Sequence, residues 1–160
     1  LSGVCVIAGP NGTREVAAED FCTAPGKNVL EAGELLVEIK FPARGTNSGS
    51  HYRRFIPRNE MDIAVVGCGV ALVLDDSGTV TSAKVSLGAV SAKVLVVEDA
   101  AKAIIGTKLD DDAMAKLDAA CQAAATPIND KRGTIEYRTK IAGVLGRRAA
   151  KIAADRARSQ

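Results

Sequence analysis

Three arginines, Arg53, Arg54 and Arg58, stand on either side of the apolar turn Phe55-Ile56-Pro57, and Asp62 follows closely after the last of them. A guanidinium is a planar fork of donors that suits a phosphate, a carboxylate or the carbonyl of a flat ring. An extended backbone over 52–56 would send Arg53 and Arg54 to opposite faces, so only one of that pair can point into a given site. The plainer reading is a basic loop held in water, the common fate of charged side chains. Asp62 can pair with Arg58 and orient it, or it can face water at the start of the apolar run that follows.

Other reactive side chains are sparse. His51 is the single histidine, so no histidine-based metal cluster can form and no second Ser-His-Asp arrangement is available; it reads as a surface residue. Cys5, Cys22, Cys68 and Cys121 are far apart in sequence, with neither a C-x-x-C pair nor the close run that holds an iron–sulfur cluster. They read as isolated thiols, which suits a reducing cytoplasm. The run GPNGTR at 9–14 lacks the Lys-Ser or Lys-Thr pair of a phosphate-binding loop and reads as a turn. Asp75-Asp76 and the acidic run 110–112 are accounted for by a turn and a helix start.

The elements that must position these groups follow from composition and periodicity. Of 160 residues 47% are hydrophobic but only 3% aromatic, with no Trp, so the core is packed from Val, Ala, Leu and Ile. Val favours strands and Ala favours helices, which predicts an α+β mixture. Basic and acidic side chains, 21 against 19, nearly cancel. No whole-chain field draws nucleic acid or anionic lipid, and no apolar stretch approaches the roughly 20 residues of a membrane helix. The chain starts at Leu1 and enters a strand-like segment almost at once, as a piece of a longer protein would.

Short strands are expected at 4–8 and 15–18 around an Asn11-Gly12 turn, then a loop of small residues. A strand ends at Pro42, with Val37, Ile39 and Phe41 on one face and Leu36, Glu38 and Lys40 on the other. Leu36 is the apolar residue on the charged face and needs cover, from a loop, a strand or a flat cofactor ring. The run 43–50 reads as a flexible boundary between 1–45 and 46–160. A hairpin of 63–74 and 80–90 follows, with Gly67 and Gly69 marking close backbone approach or a bulge, and a third strand near Lys93. Helices are predicted from Glu98 to Gly106, from Asp110 to about Ala125, and from Thr134 to the tail. The last carries Ile141, Val144, Leu145, Ala149 and Ile152 on its apolar face and Arg138, Lys140, Arg147, Arg148, Lys151 and Arg156 on its outer faces.

The motifs GELLVEIKFP at 33–42, DIAVVG at 62–67, SLGAV at 86–90 and RGTIEYR at 132–138, in that order, resemble the C-terminal half of the FAD-binding medium subunit of molybdenum hydroxylases. Xanthine dehydrogenase and aerobic carbon monoxide dehydrogenase belong to this family. The resemblance implies that 1–45 is the end of an FAD-binding domain. It implies that 46–160 is a domain in which a three- or four-stranded antiparallel sheet packs against three helices. It also implies FAD as cofactor, with Leu36 against the flavin, Arg54 near it where the family usually has a lysine, and the segment 55–65 beside the isoalloxazine. Asp62 and Ile63 would lie nearest the ring, and Arg58 would match a recurrent arginine of that loop.

By the same resemblance the glycine-rich segments that hold the FAD pyrophosphate lie upstream, so this piece alone would bind FAD weakly. The parent would be an oxidoreductase subunit that receives electrons from 2Fe-2S clusters in a small subunit. Substrate would be hydroxylated at a molybdenum cofactor in a large subunit, in a dimer of heterotrimers. A competing reading from the residues alone is a noncatalytic interaction domain whose basic helix and Arg53 to Arg58 loop dock an acidic protein. A nucleic-acid module ranks below both, since charge is balanced and aromatics are scarce.

Overall fold

The computed structural model describes residues 1–159. It divides the chain into two compact units, Leu1–Arg44 and Gly45–Gln160.

In the first unit β1 (Val4–Gly9) and β2 (Gly12–Ala17) form a hairpin closed at the Gly9–Gly12 pair. Pro10 and Asn11 are therefore the two loop residues. Gly12, with φ of 113°, takes the backbone conformation that a side chain resists, as expected of one of the Asn11-Gly12 pair, while the two loop residues lie one position earlier than that pair. The stretch expected as loop holds a one-turn helix α1 (Ala18–Phe21) and a two-stranded ladder of β3 (Cys22–Ala24) and β4 (Lys27–Asn28). Next, β5 (Leu35–Lys40) pairs antiparallel with β1, giving the order β2-β1-β5. Cys5, Val6 and Ile7 of the central strand are buried. The apolar face of Val37 and Ile39 expected on β5 is not buried: all residues of the strand are exposed. Arg14 ties the hairpin to the approach of β5, meeting Glu34 at 2.7 Å. That bond and the Glu31 amide hold the Glu34 carboxyl down at about 2.

The second unit is built on an antiparallel sheet of β6 (Ser48–Phe55), β7 (Val66–Leu74), β8 (Val80–Gly88) and β9 (Leu95–Val96), in sequence order. Three helices follow: α2 (Glu98–Ile104), α3 (Asp111–Ala124) and α4 (Ile135–Arg158). Asp110 caps α3 by accepting from the Ala113 amide at 2.9 Å, and Thr134 caps α4 by accepting from Tyr137 at 3.1 Å. One face of the sheet supplies Val66, Cys68, Val70, Leu72 and Leu74, alternating with the more open positions of β7. This face and the helices enclose one apolar core. The expected α+β architecture is the one observed.

Of the apolar face expected on the long helix, Leu145 and Ala149 are buried. Ile141, Val144 and Ile152 are only half-buried, while Ala142, Gly143, Gly146, Ala149, Ala150, Ala153, Ala154 and Ala157 are buried. Small residues let backbones come close: a Cβ on Gly49 of β6 would collide with the Ala153 carbonyl, and one on Gly143 would collide with Asp118 of α3. The helix is thus wedged between sheet and helix on a smooth surface, and the cost of helical glycine is offset by close packing.

Candidate functional site

The β6–β7 connection gathers four of the five candidate side chains. Arg54 lies opposite Gly67 and Arg53 opposite Cys68 in the antiparallel register, so the two arginines leave opposite faces of the sheet. Arg54 approaches Glu60 at 3.7 Å. Arg58 reaches back across the turn, its Nε 3.4 Å from Asp62 and its Nη2 donating to the Met61 carbonyl at 3.0 Å. Asp62 also accepts from the Ile63 amide at 2.8 Å and sits 3.7 Å from Arg132 of the α3–α4 connection. Burial pushes the Asp62 carboxyl up, but the Ile63 amide and Arg58 outweigh it and hold it below its ordinary value. The residue is therefore an anion shared by the turn and by the segment that leads into α4.

This pegging inverts the usual polarity of a surface loop. The Asp62 side chain is only 7% exposed, whereas Met61 is 93% and Ile63 63% exposed. Met61 sits at φ of 56°, a left-handed backbone that is uncommon for a side chain of its size. The Arg58 bond to its carbonyl holds it there. A carboxylate turned in and two aliphatic side chains turned out make an apolar surface on a polar frame. Such a surface suits contact with a flat, largely apolar group.

Behind the loop lies a support that the sequence reading missed. Arg138, expected on the outer face of the last helix, is only 3% exposed. It lies at the first turn of α4, facing the sheet, where its Nη1 donates to the Val65 carbonyl at 2.9 Å and to Ala89 at 3.4 Å, and its Nη2 meets Asp130 at 2.5 Å. A buried arginine needs such partners, since the charge cannot be left unpaired in the core. The preceding residue, Tyr137, packs edge-on against Phe55, with ring centroids 6.2 Å apart. Arg132, Tyr137 and Arg138, all within RGTIEYR, thus brace both ends of the loop. The signal was the long-range arrangement, which spacing along α4 does not carry.

The remaining candidates are placed as follows. Leu36 lies on β5 of the first unit and is exposed. His51 is half-buried on β6, and burial first, then the charges of Arg156 and Arg53, pushes its imidazole below the ordinary value. Cys68 and Cys121, distant in sequence, are both buried in the core, and the neighbouring Cys121 thiol, then burial, push the Cys68 thiol up. Among the described residues no cluster of His, Cys, Asp or Glu could hold a metal ion, and no helix is long and apolar enough to cross a membrane.

An antiparallel sheet backed by three helices, with an arginine-pegged loop between its first two strands, defines an α+β domain. Residues 51–153 match the family described as the CO dehydrogenase flavoprotein C-terminal domain, and the chain belongs to that family. It is 38% identical over 159 residues to the carbon monoxide dehydrogenase medium chain of Afipia carboxidovorans, covering 99% of this chain and 54% of that relative. It is 28% identical over 117 residues to the nicotinate dehydrogenase FAD-subunit of Eubacterium barkeri, covering 71% and 40%. The structure of reconstituted CO dehydrogenase from Oligotropha carboxidovorans superposes with a TM-score of 0.91 at 37% identity, over 98% of this chain and 54% of that one. The resemblance read in the four motifs is borne out. The chain spans about half the length of the medium chains it matches.

Proposed function

We propose that this chain is the C-terminal part of the flavoprotein subunit of a molybdenum hydroxylase-type oxidoreductase. Its first unit closes an FAD-binding domain and its second shields the flavin. The observation that carries the reading is the inverted loop, with Asp62 drawn in and Met61 and Ile63 presented outward. Ile63 and Leu36 would supply the apolar contacts to the isoalloxazine. Arg54 and Arg58 would supply positive charge near a ring that becomes more anionic as it is reduced. Asp62 would hold Arg58 and the Ile63 backbone in register.

FAD held by the full-length subunit would relay electrons from 2Fe-2S clusters of a small subunit to an acceptor, after substrate hydroxylation at a molybdenum cofactor in a large subunit. The protein's share is to bind, orient and exclude water. A dimer of such heterotrimers in the cytoplasm is the assembly this reading implies.

The test is the visible absorption of the full-length subunit as purified, beside this 160-residue piece titrated with FAD. Flavin bands in the parent with little uptake by the piece are expected. A colourless parent that ignores added FAD removes the flavin reading.

A further inference from the structure

On α4 a groove of about 510 Å³ runs between the helix and the segment that connects α2 to α3. Its floor is apolar, built from the half-buried Leu109, Met114 and Val144 and the buried Ala154. Its walls carry five cations against two carboxylates, Asp111 and Asp155. Arg147 is engaged by Asp118 at 2.6 Å and Arg158 by Asp155 at 3.1 Å. Lys108, Arg148 and Lys151 are exposed, and among the described residues none of the three has a carboxylate within salt-bridge distance. Arg148 and Lys151, with Lys108 whose charge is also felt by Asp75, therefore surround an apolar trough.

The shape narrows the ligand. The α4 residues that line the groove run from Val144 to Arg158, and at a rise of 1.5 Å per residue that wall is roughly 21 Å long. Such a length exceeds that of a compact small molecule and suits a stretch of polypeptide. No aromatic side chain lines the groove, so nucleic-acid bases would find no stacking platform. The two carboxylates interrupt the basic wall and so disfavour the uniform anionic surface of a lipid layer.

We propose that this groove docks an acidic, amphipathic segment of a partner polypeptide. The segment lays apolar side chains on Leu109, Met114 and Val144 while its carboxylates meet Lys108, Arg148 and Lys151. This is the helix-in-groove mode, with the charges setting orientation and encounter rate. The inference is independent of the flavin reading, because no group in it belongs to the β6–β7 loop.

The experiment uses the full-length subunit and a fluorescein-labelled synthetic helical peptide with Leu at helical spacing on one face and Glu on the other. A counterpart with Lys in place of every Glu serves as control. The acidic peptide is expected to bind saturably, more weakly as salt rises, and the double variant Arg148→Glu, Lys151→Glu is expected to weaken it by about tenfold or more. Both substituted side chains are exposed, and Lys108→Glu on the opposite wall gives a second test should the double variant misfold. Equal binding of the basic peptide, unchanged binding by the charge-reversed variants, or absence of saturable binding overturns the proposal. Complete displacement of the acidic peptide by an oligonucleotide or by anionic vesicles overturns it too, in favour of those ligands.

Discussion

Replacing Arg138 by Met tests the brace behind the loop. Methionine keeps most of the unbranched stem, so the change removes hydrogen bonds with little loss of packing. The Val65 carbonyl loses a charged donor at 2.9 Å, in a residue that is fully buried, so water does not replace it. Asp130, whose side chain is 30% exposed, can be rehydrated and adds little. A hydrogen bond to a charged group contributes about 1.5–3 kcal/mol and an orphaned buried acceptor costs a similar amount, so a loss of about 3 kcal/mol is expected. For a chain of this size that is about 6–12 °C in Tm. Arg148→Met, an exposed arginine on the same helix, should stay within about 0.5 kcal/mol. Thermal and urea melts of both variants give the comparison. Hydrogen exchange at the Val65 amide, which donates to Phe55 at 2.9 Å, shows whether the loop base opens. A loss below about 1 kcal/mol for Arg138→Met, or an equal loss for Arg148→Met, refutes the account.

Asp62 should make the loop acid-sensitive. Its folded carboxyl lies below its ordinary value, so its contribution is present above the unfolded pKa and is lost as pH falls through the folded one. Proteolysis within 57–62 should therefore stay constant from neutral pH down to the ordinary carboxylate range and rise below it. Asp62→Asn should be cut faster at neutral pH and show no such rise. Gly49→Ala should cost about 1–3 kcal/mol by urea melt, because its Cβ would strike the Ala153 carbonyl, whereas Gly88→Ala, with open space around it, should change little. Equal melts for the two glycine variants would show that α4 is not wedged against β6.

The parts of the fold that could be read from sequence are those where local pattern and tertiary need coincide. The β7 and β8 alternation, the acidic start of α3 and the Thr134 cap of α4 each carry a local cause. The face of α4 followed only in part: Leu145 and Ala149 are buried as expected, but Ile141, Val144 and Ile152 are only half-buried. A helix squeezed between a sheet and another helix buries its smallest residues, since only those let the backbones approach. The alanines were counted toward helix propensity, and their second role at the interface needed the position of Gly49 and Asp118. For the same reason the isolated appearance of Cys68 and Cys121 dissolves in the core, where strand and helix bring them together.

The loop at the candidate site was legible as a set of charges, but its polarity was not. In sequence, Arg58 and Asp62 read most plainly as charges held in water and Ile63 as the start of the apolar hairpin strand, so exposure of the charges was the common expectation. Arg58, the Ile63 amide and Arg132 together make it cheaper for Asp62 to turn inward than to stay in water. With the carboxylate held there, the next residue, Ile63, is left exposed. The apolar surface is thus a consequence of the polar frame, and its exposure persists because the frame's bonds oppose any collapse that would hide it. A surface held in this way needs little rearrangement to make a contact. Preorganisation of this kind is where binding gains most, because little ordering is left to do on contact.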